Sequence, residues 1–104
     1  MLETLQAALA ALTDNCYHYV AAPNSTIPYI VWMEDGDNDL AGDDHHAEQS
    51  YTGTVDLYTK QENDPLFTSI PAALAGIGAS WYLNSVQYEE ETGLTHYEWV
   101  WEVV

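Results

Sequence analysis

Three aspartates at alternate positions, Asp35, Asp37 and Asp39, open an acidic stretch in the manner of a calcium-binding loop. The match ends there. A loop of that kind beginning at Asp35 needs glycine where Leu40 stands and a bidentate glutamate where His46 stands. Weak attraction of divalent ions is expected, without a dedicated metal site. His45 and His46, with Asp43, Asp44 and Glu48, add nitrogen and oxygen ligands, but adjacent side chains diverge from an extended backbone. Signals for catalysis are weaker still. Glu89, Glu90 and Glu91 are consecutive at a turn, where water screens them and leaves their acid–base chemistry ordinary. Ser50, Ser69, Ser80 and Ser85 lie in no nucleophile-elbow context. No glycine-rich loop precedes a helix, and Lys60 is the single candidate for a phosphate-binding lysine. These residue types predict no catalytic residue, no cofactor and no enzyme activity.

The charge balance narrows the partners. Seventeen acidic residues face one basic residue, Lys60, for a formal net charge of −16. Nucleic-acid phosphates are bound by Lys and Arg that displace counterions, so direct DNA or RNA binding is excluded. Docking on an anionic membrane surface is excluded for the same reason. An acidity of this size serves solubility or adaptation to salt, or it presents an acidic surface to a basic partner. Cys16 is alone, which excludes an internal disulfide and a thiolate metal cluster and predicts a buried structural thiol. No run reaches transmembrane length, and Met1-Leu-Glu-Thr4 lacks the basic start of a secretory signal. A soluble, cytoplasmically made product is expected.

The elements that must position these residues are legible from periodicity. Leu2, Leu5, Leu9, Leu12 and Cys16 recur at three- and four-residue steps among alanines, the pattern of an amphipathic helix weakened at Asp14-Asn15. Tyr17 to Val20 is a last turn or the start of an extended stretch. Ala22 to Pro28 is a connector rich in proline and small polar residues. Tyr29 to Met33 is a short apolar run, read as a buried strand. Glu34 to Glu48 then reads as an acidic loop, mobile in isolation because its like charges repel. Tyr51, Gly53, Val55 and Leu57 alternate with Thr52, Thr54, Asp56 and Tyr58, a second strand. Asp64 and Pro65 can cap and open a helix striped by Leu66, Phe67, Ile70, Leu74 and Ile77, closed by Gly76 or Gly78 and split at Pro71.

The final stretch, Trp81 to Val104, is the clearest. Tyr97, Trp99, Trp101 and Val103 fall on one side of a strand, and His96, Glu98 and Glu102 on the other, with Val100 breaking the pattern. Gly93 supplies the left-handed residue of a hairpin turn. The order helix-strand-strand-helix-strand-strand predicts one α+β domain over residues 1–104. Its sheet should be mainly antiparallel, with the helices packed on one face. Trp32, Trp81 and the aromatic face of the last strand are assigned to the core. His18 reads as a partly buried structural histidine and His96 as a surface partner of Glu98. Eight tyrosines and four tryptophans exceed what a core of this size readily hides. Tyr51, Tyr58, Tyr82, Tyr88 and Val100 are therefore assigned to an interface between subunits. Asp35, Asp37, Asp39, Asp43, Asp44, His96, Glu98 and Glu102 are the polar interface candidates.

Three pieces carry a resemblance: Tyr29-Ile-Val-Trp32 before the acidic loop, Val55-Asp-Leu-Tyr-Thr-Lys60, and the closing hairpin Tyr88-Glu-Glu-Glu-Thr-Gly-Leu-Thr-His-Tyr-Glu-Trp99. With the leading helix they resemble the small tail-terminator or tail-completion proteins of long-tailed bacteriophages. The resemblance implies an α+β subunit that forms a ring, commonly a hexamer, at the head-proximal end of the tail tube. There it stops tube growth and helps join tail to head, in contact with tube and neck proteins and without a cofactor. It implies residence in the virion after assembly in the host cytoplasm. The lack of basic residues departs from any bore that grips DNA through cations; an acidic bore repels passing DNA, as a conduit should. An alternative is an acidic decoy that mimics DNA and blocks a nucleic-acid enzyme. That role needs carboxylates spaced over a surface like duplex phosphates, whereas those between Asp35 and Glu48 and at Glu89–Glu91 are concentrated in loops.

Overall fold

The structure is a computed structural model that describes residues 1–39 and 49–104. Two helices, α1 (Leu2–Ala10) and α2 (Leu66–Gly76), accompany five strands: β1 (Cys16–His18), β2 (Tyr29–Asp39), β3 (Gln49–Thr59), β4 (Ser80–Glu89) and β5 (Leu94–Val103). They form one sheet in the order β1-β2-β3-β5-β4. Every pairing is antiparallel except β1 with β2. The α+β class, the mainly antiparallel sheet and the helices on one face agree with the periodicity argument.

The core follows from the period of each element. Leu5 and Leu9 of α1 and Ile70 and Leu74 of α2 are fully buried. They meet Ile30 and Trp32 of β2, Val55 and Leu57 of β3, and Trp99, Trp101 and Val103 of β5, all from one face of the sheet. Burying side chains of this size stabilises by roughly 1.5–3 kcal/mol each relative to leaving them exposed. Asp64 caps α2 as its sequence context suggests. One carboxylate oxygen accepts from the Leu66 amide at 2.9 Å, and the other accepts from the Thr59 hydroxyl at 2.6 Å. Gly78, with φ +81°, ends the helix: the Ala79 amide donates to the Leu74 carbonyl and the Gly78 amide to that of Ala75, each at 3.0 Å.

Five local expectations change. The first helix stops at Ala10, and Cys16 begins a short parallel strand instead of extending the helical stripe. Thr13, Asp14 and Asn15 favour side-chain-to-backbone bonds over helix, and the Asn15 amide does donate one to the Thr13 hydroxyl oxygen at 3.1 Å. Helix α2 is continuous through Pro71, because a proline there removes one backbone bond without stopping a helix already held by its buried stripe. Strand β2 runs on to Asp39, so Glu34 to Asp39 are not loop. Pairing with β3 holds them, and a bulge at Asp35 absorbs the register shift. The rest of the expected mobile loop, 40–48, lies outside the described residues. Trp81, assigned to the core, is 42% exposed, because β4 is the sheet's last strand and the helices do not cover that flank. Tyr51, assigned to an interface, packs against the core.

Candidate interaction surfaces

Strand β4 is an edge strand whose outer backbone has no partner strand among the described residues. Nearly every residue along it is exposed. Trp81, Leu83, Val86 and Tyr88 pair in register with Trp101, Trp99, Tyr97 and Thr95, which places them on the helix side. They form an apolar stripe, with Tyr82 exposed on the other side. Phe67 of α2 extends the stripe, lying over Tyr97 and Trp99 at centroid distances of 4.7 and 5.6 Å. From Pro65 to Tyr88, through all of α2 and most of β4, no residue is charged. In so acidic a chain this gap is the signal that marks the flank, and periodicity and motif arguments do not register it.

Among the described residues the opposite sheet face carries no helix. Across it runs a ladder of rings, Tyr17, Tyr29, Tyr58 and His96, one from each of β1, β2, β3 and β5. Tyr17 meets Tyr29 edge-on at 6.3 Å, Tyr29 stacks on Tyr58 at 4.8 Å, and Tyr58 stacks on His96 at 4.3 Å. Tyr58 is thus engaged within the subunit. Beside the ladder stands Asp56, only 7% exposed. Burial pushes its carboxyl up to about 6; His96 draws it back down, and the Glu98 charge adds to the rise. Asp56 and Glu98 are direct cross-strand partners, a pairing of like charges. His96 Nε2 lies 3.3 Å from Asp56 Oδ1, within ion-pair range, yet neither atom completes a hydrogen bond. His96 is therefore the half-buried neighbour of Asp56, not a surface partner of Glu98.

The other polar candidates separate. Glu98 accepts from the Asn84 amide at 2.9 Å, and Glu102 accepts a long 3.5 Å bond from the Ser50 hydroxyl. Asp35 accepts from the Thr52 hydroxyl at 3.1 Å. Asp37 and Asp39 pair through their backbones with Tyr51 and Gln49. Asp43 and Asp44 lie outside the described residues, as do His45 and His46. His96, Glu98 and Glu102 share the open face, while Asp35 sits at the β2 bulge, so the structure does not gather them into one site. Among the described residues no three potential metal ligands cluster. His18, expected to be partly buried, is exposed at the end of β1, although its ring stacks on Trp32 at 3.9 Å and on Tyr19 at 4.0 Å. Glu34 joins that group, accepting from the Tyr19 hydroxyl and contacting His18 Nε2, both at 2.7 Å. Among the described residues no helix is long and apolar enough to cross a membrane.

No family model matches this chain, and no curated protein matches it. Among solved structures, a chain of the virion of a native gene transfer agent particle is similar in fold, with a TM-score of 0.50 at 14% identity. The alignment covers 97% of this chain and 87% of that one, so the likeness spans the whole α+β architecture.

Proposed function

We propose that this chain is a non-enzymatic structural subunit of a phage-type virion. In this reading it is a tail-terminator or tail-completion protein that forms a ring, of about six copies, at the head-proximal end of the tail tube. The observation that carries the reading is the uncharged, exposed flank made by β4 and α2. A long, apolar, unpaired edge strand is a template for association, and isolated proteins normally blunt such edges with charge, proline or a cover. Here the edge is left open while acidic residues crowd elsewhere. Copies of so negative a chain can approach only where charge is absent, and interface cores are depleted of charge and rich in Tyr, Trp and Phe. The fold shared with a gene transfer agent virion chain supports the same class of role. A ring requires the flank to meet a different surface of the next copy, since a patch that meets itself closes as a dimer. We assign the acidic residues Asp35, Asp37 and Asp39, with Asp43 and Asp44, to basic neighbours in the tube or neck.

The test is light scattering across a salt series, with Leu83→Lys as the control. Like-charge repulsion between copies is screened over about 8 Å at physiological salt, so assembly should rise with added salt. Leu83→Lys, which charges the flank, should remain monomeric and folded. A wild-type protein that stays monomeric at high salt, stops at a dimer, or is absent from purified particles of the cells that encode it would overturn the reading.

A further inference from the structure

The two longest stretches of this chain without Asp, Glu, Lys or Arg are Pro65–Tyr88 and Asn15–Met33. The first forms the β4 flank. The second holds β1, the connector after it and the start of β2. The fold sends the two runs to opposite ends of the sheet, since β1 and β4 are its edge strands. Exposed apolar side chains follow the same division. Among the described residues, and apart from the terminal Met1 and Val104, every large exposed hydrophobic lies in one of the two runs. Tyr19, Val20 and Ile27 belong to the β1 run, and those from Phe67 to Tyr88 to the β4 flank. At Tyr19 the backbone takes a left-handed φ of +72°, which a bulky residue rarely adopts. Its amide donates to the Trp32 carbonyl at 2.9 Å and its hydroxyl to Glu34 at 2.7 Å, so the turn is fixed from both ends. The next residue, Val20, is left 75% exposed.

We propose that the β4 flank of one copy docks on the β1 edge of a second copy, centred on Tyr19 and Val20, so that subunits join edge to edge and head to tail. This rests on the ring reading above and names the other half of its contact. Charge selects the pair of surfaces. Two copies at −16 repel, and a like-charge contact is costly to bury. The open sheet face would set Asp56, Glu98 and Glu102 against another acidic surface. A third uncharged run, Thr4–Thr13, spends its leucines at home: Leu5 and Leu9 are buried, and Leu12 packs against the core. Beside the β1 edge, Glu34 is already engaged by the Tyr19 hydroxyl and His18 Nε2. Symmetry selects the arrangement. Two different patches at opposite edges let each copy make both contacts at once, and such a heterologous contact generates a ring where its rotation closes. One repeated contact then covers both apolar patches, and no further protein is needed to cover either.

The experiment compares Val20→Lys with Leu83→Lys by light scattering at the salt concentration where the wild type assembles. Val20 is 75% and Leu83 40% exposed, so both variants should fold, which melting curves check. Should Val20→Lys fold poorly, Val20→Gln, polar without charge, takes its place. Each lysine lessens the net negative charge, so a general charge effect would favour assembly and not oppose it. The expected result is that each variant alone stays monomeric. Mixed in equal amounts, they should form a species of twice the monomer mass and nothing larger, because Val20→Lys brings an intact flank and Leu83→Lys an intact β1 edge. A folded Val20→Lys that assembles like the wild type would overturn this inference and leave the ring reading standing, with the β1 edge free for a different protein. A mixture that stays monomeric would do the same. A Val20→Lys protein that stops at a dimer would show flank meeting flank and overturn both. A wild type that is monomeric at every salt concentration would remove the ring reading, and this inference with it.

Discussion

The indole of Trp101 lies directly over the α-carbon of Gly53, its cross-strand partner. A β-carbon at position 53 would collide with that ring and with the carbonyl oxygen of Met33. Trp101 is completely buried and the Met33 oxygen is backbone, so neither neighbour can swing aside. Gly53→Ala should therefore destabilise the fold by at least about 1–3 kcal/mol, the usual cost of forcing extra atoms into a packed core. Urea denaturation measures this as a lowered midpoint. A midpoint equal to that of the native chain would show that β3 and the indole separate easily.

Trp99 sits on the same strand face two residues earlier and is 1% exposed beneath the helices. Trp99→Ala should cost roughly 3–5 kcal/mol, much of a small domain's stability. Glu98, on the opposite face, stands across from Asp56. Glu98→Lys replaces a repulsive pair by an attractive one and should leave the melting temperature unchanged or raised. Melting curves of the two variants separate core from open face. A silent Trp99→Ala together with an unfolded Glu98→Lys would reverse the register argued for β5.

Asp56 gives the stability a pH dependence of defined sign. Burial raises its folded pKa to about 6 from an ordinary 3.8, so the native state holds the proton more tightly than the unfolded chain does. The contribution is complete below about 3.8 and is lost as pH rises through about 6. Its neighbours are His96 and Glu98 from β5 and Val31 from β2. Midpoints in urea should fall between pH 4 and pH 7 more steeply for the native chain than for Asp56→Asn. Parallel profiles for the two proteins would assign the slope to the remaining carboxylates.

The thiol of Cys16 should be nearly inert in the folded chain. Burial pushes its pKa up to about 11, and the side chain packs against the core at the start of β1. The thiolate is the reactive form, so labelling by an aromatic disulfide near pH 8 should be slow and should accelerate sharply in denaturant. Immediate labelling of the native protein would show that β1 opens freely.

Much of this architecture is legible in residue order, because strands and helices of a one-layer sheet announce their buried faces by period. Trp99, Trp101 and Val103 show it, as do Ile70 and Leu74 and the cap at Asp64. What is not legible depends on neighbours far away in the chain. Trp81 has the composition of a core residue, and only its place on the last strand of the sheet exposes it. Asp56 alternates innocently with Val55 and Leu57. It becomes a buried carboxylate beside His96 only when β3 and β5 pair in this register. Cys16 fits a helical step from Leu12, but Thr13, Asp14 and Asn15 end the helix locally, and pairing with β2 offers the segment a strand instead.

Of the four tryptophans, Trp32, Trp99 and Trp101 are at most 2% exposed, whereas Trp81 is 42% exposed in the middle of the uncharged flank. Trp81 is therefore the natural reporter of association through β4. In the free subunit, acrylamide should quench a minor fraction of the tryptophan emission, and Trp81→Phe should abolish that fraction. Raising salt should protect it in parallel with the growth in mass seen by light scattering. Leu83→Lys should keep Trp81 quenchable at every salt concentration. If mass grows while Trp81 stays fully accessible, association uses another surface, and the assignment of the β4 flank to the subunit interface is wrong.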